Sequence, residues 1–92
     1  MKVVVRARVD DDLEGIFAWI AKDNPNAAAN MIRRLRERID RLAHPVLAEM
    51  GRSGREPGTR ELVEKPYIIV YEVHRERNEI EILAIFHGAR NR

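Results

Sequence analysis

Ninety-two residues leave room for a single domain around one hydrophobic core. A composition of 45% hydrophobic and 35% charged residues is that of a folded chain, which argues against intrinsic disorder; with no cysteine, disulfides and thiolate metal sites are excluded, as expected of a reducing cytoplasm. The net charge of +2 is small but unevenly spread: residues 33–60 hold eight arginines against four acids, while the segments on either side are each slightly acidic. A basic middle segment fits a polyanion or an acidic protein partner, and equally fits a solvated arginine-rich face.

The three valines before Arg6 are too few for a signal-peptide core, and no apolar run reaches transmembrane length, so a soluble cytoplasmic protein with no membrane contact is expected. Lys2 to Val9 reads as a strand, with Val3, Val5 and Ala7 on one face and Arg6 and Arg8 on the other. Asp10 is placed to cap a following helix, with Asp11, Asp12 and Glu14 at the positive end of its dipole. Leu13, Ile16, Phe17 and Ile20 then share one helical face, and this helix is expected to end near Asp23.

Asn24-Pro25 reads as a cap followed by proline at the first helical position, where the missing N–H costs nothing. Ala28, Met31, Ile32, Leu35, Ile39 and Leu42 form the apolar stripe of this second helix, which His44-Pro45 stops. The short connection predicts an antiparallel helical hairpin. Residues 44–58, with two prolines and three glycines, are expected to be irregular apart from a helical turn near Val46 to Met50.

Three strands follow. Thr59 to Glu64 is separated by Lys65-Pro66 from Tyr67 to His74, which is apolar on both faces as a central strand would be. Arg75 to Asn78 is a hairpin turn, and Glu79 to His87 is the last strand. The order β-α-α-β-β-β predicts an α+β fold in one domain over 1–92, a helical hairpin packed on a mainly antiparallel sheet with its other face solvated or covered by a partner.

In this order and spacing, three stretches resemble the ParE/RelE toxin superfamily: Gly58 to Leu62 leading into a strand, the strand core Tyr67 to Tyr71, and the ending Ile82 to Arg90. His87, Gly88, Ala89 and Arg90 are similar to the ParE branch in particular. The resemblance implies the toxin of a type II toxin–antitoxin system, associated with plasmid stabilisation and growth inhibition and held in a hetero-oligomer by a cognate antitoxin that wraps a helix and an extended segment around it. DNA would be reached only indirectly, through the antitoxin. ParE-type relatives poison DNA gyrase with no known catalytic group. RelE-type relatives are metal-independent endoribonucleases that cut mRNA in the ribosome, and a third outcome is a non-toxic antitoxin-binding module.

Cutting RNA without a metal needs a base for the ribose 2′-OH, an acid for the leaving oxygen and cations for the phosphate. His87 is the candidate acid or base, Glu61 a candidate base, and Arg60 and Arg90 candidate phosphate ligands. The ribonuclease branch carries an arginine where this chain has Ile68 and an aromatic near the C-terminus, where Gly88 follows His87 and no aromatic comes later. No catalytic residue is therefore favoured, and gyrase is the expected target, met by His87, Arg90 and Arg92. Trp19, Phe17, Met31, Leu35 and Tyr71 are the expected antitoxin contacts. No cofactor is implied, and His44, His74 and His87 lack metal-ligand spacing, so no metal site is expected.

Overall fold

A computed structural model describes residues 1–89. Strand β1 (Lys2–Val5) leads into helices α1 (Ala7–Ala21) and α2 (Pro25–Arg41); β2 (Arg52–Ser53), β3 (Arg60–Glu64), β4 (Tyr67–His74) and β5 (Glu79–His87) follow. The five strands lie in the order β1-β5-β4-β3-β2. β1 runs parallel to β5 and every other pair is antiparallel, so the helical hairpin is the crossover returning the chain to the sheet. The α+β architecture read from the sequence is the one observed, with the two-residue β2 added at the far edge.

Helix α1 begins four residues earlier than a cap at Asp10 implies. Its N-cap is Arg6, which makes no side-chain capping bond, and Asp10 sits inside the first turn. The reason is Val9. It is fully buried and lies on one stripe with Leu13 and Ile16, so helical spacing there overrides the strand alternation that ends at Val5. Helix α2 starts where expected, the Asn24 Oδ1 accepting from the N–H of Ala27 at 3.0 Å with Pro25 directly after it.

The core lies between the helices and one sheet face. Val9, Leu13 and Ile16 of α1 and Met31, Leu35 and Ile39 of α2 pack over Leu62, Ile69, Tyr71, Ile80, Ile82 and Ile85. Leu35 and Tyr71 are completely buried and Met31 nearly so: of the expected antitoxin contacts, these three lie in the core of the free chain. β4 alternates so that Tyr67, Ile69 and Tyr71 join this core while Ile68, Val70, Glu72 and His74 fall on the opposite face. Leu83 is the extra residue of a bulge, Val70 pairing with Ala84 but Tyr71 with Ile82. Asn78, with φ of 54°, closes the β4–β5 connection in the left-handed conformation that asparagine tolerates.

Candidate functional site

Among the described residues of the ribonuclease alternative, His87 stands apart from Arg60 and Glu61. Arg60 pairs in register with Tyr71, whereas His87 pairs with Tyr67, four residues earlier on β4 and so about 13 Å away in the strand direction. The Arg60 guanidinium donates to the carbonyls of Gly51 at 2.9 Å and Glu49 at 3.4 Å, tying down the irregular segment. Glu61 is buried, its carboxylate accepting from Arg52 Nη2 at 3.2 Å and from the N–H of Arg55 at 3.3 Å. A carboxylate so engaged is poorly disposed to take a proton from an incoming hydroxyl.

His87 stands at the end of β5 with its ring edge-on to Tyr67, the centroids 5.5 Å apart. Its Nδ1 accepts from the N–H of Ala89 at 3.1 Å, and the N–H of Gly88 donates to the Pro66 carbonyl at 2.8 Å. These bonds lay the start of the tail against the β3–β4 turn and over Ile68, which is buried although it lies on the uncovered sheet face. Beside His87 a groove of about 260 Å³ runs along α1, with Arg8, Asp12, Trp19 and Phe86 among its walls. Asp12 closes the inner wall, its Oδ2 accepting from the N–H of Ile85 at 2.9 Å where β5 outlasts β1. Trp19 is half exposed under the Lys22 ammonium, which stands 5.1 Å from the ring centroid. Arg90 and Arg92 lie outside the described residues.

A second, more apolar depression of about 480 Å³ lies across the outer side of the helices, lined by Leu13, Phe17, Ile32 and Arg36 with Asp10 and Glu14 at its rim. It adjoins another of about 240 Å³ between Val3, Val5, Leu13, Arg36 and Ile39. Phe17 and Val5 are each about two-fifths exposed, so the two depressions form an apolar trough from the β1 edge to the middle of α1. Phe17, expected from the sequence to be an antitoxin contact, lies in this trough; Val5, Ile32 and Arg36 beside it were not singled out, since which flank of a stripe stays open depends on where the sheet ends.

Half of the eight arginines of the basic middle segment meet a carboxylate within the chain. Arg33 pairs with Glu37, Arg34 and Arg38 with Glu64, and Arg52 with Glu61. On the uncovered sheet face Arg6 meets Glu81 at 2.7 Å, and this contact, followed by the hydrogen bond from His74, holds the Glu81 carboxyl below its ordinary range. Glu72, His74 and Glu81 there form a cluster that spacing between histidines did not predict.

Comparison with known proteins identifies the family. The model of the ParE toxin of type II toxin–antitoxin systems matches residues 3–92. The chain belongs to the ParE toxin family. A Sinorhizobium fredii protein named "Putative toxin Y4kP" is 43% identical over 78 residues, which cover 83% of this chain and 76% of that one. Among solved structures, a chain of the chromosomal ParDE toxin–antitoxin system of Pseudomonas aeruginosa superposes with a TM-score of 0.81 at 24% identity over 95% of both chains. A chain of the RelBE2 toxin–antitoxin complex of Mycobacterium tuberculosis gives 0.57 at 20% identity, over 94% of this chain and 95% of that one. The ParE fold is thus shared with a RelE-type system, and fold alone does not choose the target. Among the described residues of this ParE family member, no helix is long and apolar enough to cross a membrane.

Proposed function

We propose that this ParE-family toxin acts in the cytoplasm by inhibiting DNA gyrase, and that a cognate antitoxin neutralises it by laying an apolar helix in the trough between α1, α2 and the β1 edge. The observation that carries the target assignment is the fate of the candidate nuclease residues: Arg60 is spent on two carbonyls, Glu61 is buried beneath Arg52, and His87 stands at the level of a different strand residue. Inhibition by binding needs no such constellation. The C-terminal strand and the tail, with His87, Arg90 and Arg92, supply the contact to gyrase.

The antitoxin assignment rests on shape and chemistry. Phe17, Ile32, Leu13 and Val5 offer anchors for residues spaced along one face of a helix, and Arg36 with Asp10 and Glu14 supplies charges of both signs at the rim. The product is a hetero-oligomer in which DNA is met only through the antitoxin.

The direct test is a supercoiling assay with relaxed plasmid, purified gyrase and ATP. Gyrase inhibition predicts that toxin leaves the plasmid relaxed and that prior mixing with antitoxin restores supercoiling. The groove beside His87, with Arg8 and Asp12 in its walls, keeps one competing reading in view, cleavage of mRNA on the ribosome. Toxin-dependent cuts within codons on translating ribosomes, lost in His87→Ala, together with unimpaired supercoiling, would overturn the gyrase assignment.

A further inference from the structure

We propose that Glu72, His74 and Glu81 form a binding site for a divalent transition-metal cation of the zinc class on the uncovered face of the sheet. The register builds the cluster. Glu72 of β4 lies directly opposite Glu81 of β5, and His74, two residues beyond Glu72, projects from the same face. His74 Nε2 is 3.0 Å from Glu81 Oε1 and 3.4 Å from Glu72 Oε1, and the three atoms lie within 4.8 Å of one another. Ligands about 2.0–2.1 Å from a tetrahedral zinc ion stand about 3.4 Å apart, so the separations of 3.0 and 3.4 Å already approach the edges of a metal tetrahedron. One imidazole and two carboxylates leave a fourth position open to water, and the imidazole selects zinc, cobalt or nickel over magnesium or calcium.

Two further features favour a cation here. Carboxylates placed directly opposite one another on neighbouring antiparallel strands repel unless a positive charge lies between them. Arg6 meets the Oε2 of Glu81, whereas the neighbour of Glu72 within the cluster is the His74 imidazole, at 3.4 Å. The surroundings also orient the donors as an outer shell does. Arg6 Nε grips Oε2 of Glu81 at 2.7 Å, leaving Oε1 turned toward His74, and Glu76 Oε1 stands 3.8 Å from the second ring nitrogen, Nδ1. The three side chains are between one-fifth and one-third exposed, sheltered from bulk water yet open to an entering ion.

The site is tested on the purified full chain, stripped with a chelator and titrated with Zn²⁺, with Co²⁺ as a spectroscopic probe and Mg²⁺ as a control. The expected result is a single equivalent of Zn²⁺ bound with a rise in Tm, visible absorption from Co²⁺ in a low-coordinate site, and no response to Mg²⁺. His74→Gln and Glu72→Gln both lose binding while keeping the metal-free melting curve; the second keeps the imidazole, so the result does not hang on one variant folding. Glu76→Gln weakens binding about tenfold, the low end for loss of an outer-shell partner. His44→Gln and His87→Gln bind as the parent does. A flat titration with Zn²⁺ and Co²⁺, or binding that survives His74→Gln or disappears in His44→Gln or His87→Gln, overturns the proposal.

Discussion

The hydroxyl of Tyr71 shows how one buried polar atom fixes a loop. Fully buried at the centre of β4, it accepts from the N–H of Gly51 at 2.9 Å and so gives the irregular segment a deep anchor. Tyr71→Phe keeps the ring but orphans that N–H, and a loss of about 1–3 kcal/mol is expected in urea unfolding. Gly51→Ala is expected to cost about as much by overpacking, since its Cβ would lie 2.7 Å from the hydroxyl and 2.8 Å from the Glu61 carbonyl. The double variant is then only partly rescued, because removing the hydroxyl leaves the carbonyl clash in place. Burial raises the Tyr71 pKa above 10.0, outweighing the opposing pull of Gly51 and Arg60. A raised folded pKa means that the native state holds its proton longer than the unfolded chain. The contribution of Tyr71 is therefore intact below the ordinary tyrosine range and is lost as pH rises from there through the folded value. Urea midpoints measured across that range should fall more steeply for the parent than for Tyr71→Phe.

At the scale of elements, the telling residue is Asp12, which joins α1 to the one stretch of β5 that β1 leaves unpaired. Asp12→Ala is expected to cost about 1–3 kcal/mol by orphaning the N–H of Ile85, and Asp12→Asn clearly less, because its amide oxygen still accepts. Thermal unfolding of the two variants side by side checks this. Asp12 was legible only as a charge near a helix start, since its strand partner lies 73 positions away. Local chemistry could be read: Asn24 and Pro25 mark the start of α2, and loss of the cap in Asn24→Ala should cost about 1 kcal/mol. Val9 could not, because it fits a strand alternation and a helical stripe equally well until burial decides between them. Neither could the parallel pairing of β1 with β5, the brief β2, or the cluster around His74, each of which depends on a register between distant segments.

Over the whole molecule, the proposed docking of the antitoxin has the helical hairpin divide its apolar residues between two tasks, and the sequence stripes do not reveal the division. Leu35 lies under α2 against the sheet, with none of its surface exposed, while Phe17 stands at the rim of the outer trough with two-fifths exposed. Leu35→Ala should therefore lower stability by about 2–5 kcal/mol through lost burial and a cavity. It should weaken the antitoxin only in proportion to the unfolded fraction it creates. Phe17→Ala should leave the urea midpoint nearly unchanged and weaken antitoxin binding tenfold or more, which corresponds to about 1.4 kcal/mol or greater. Calorimetric titration of each folded variant with the antitoxin separates the two tasks. Should Phe17→Ala bind as tightly as the parent while an exposed substitution near Trp19 does not, the antitoxin helix occupies the groove beside His87 instead, and the same surface would then have to serve both the antitoxin and the target.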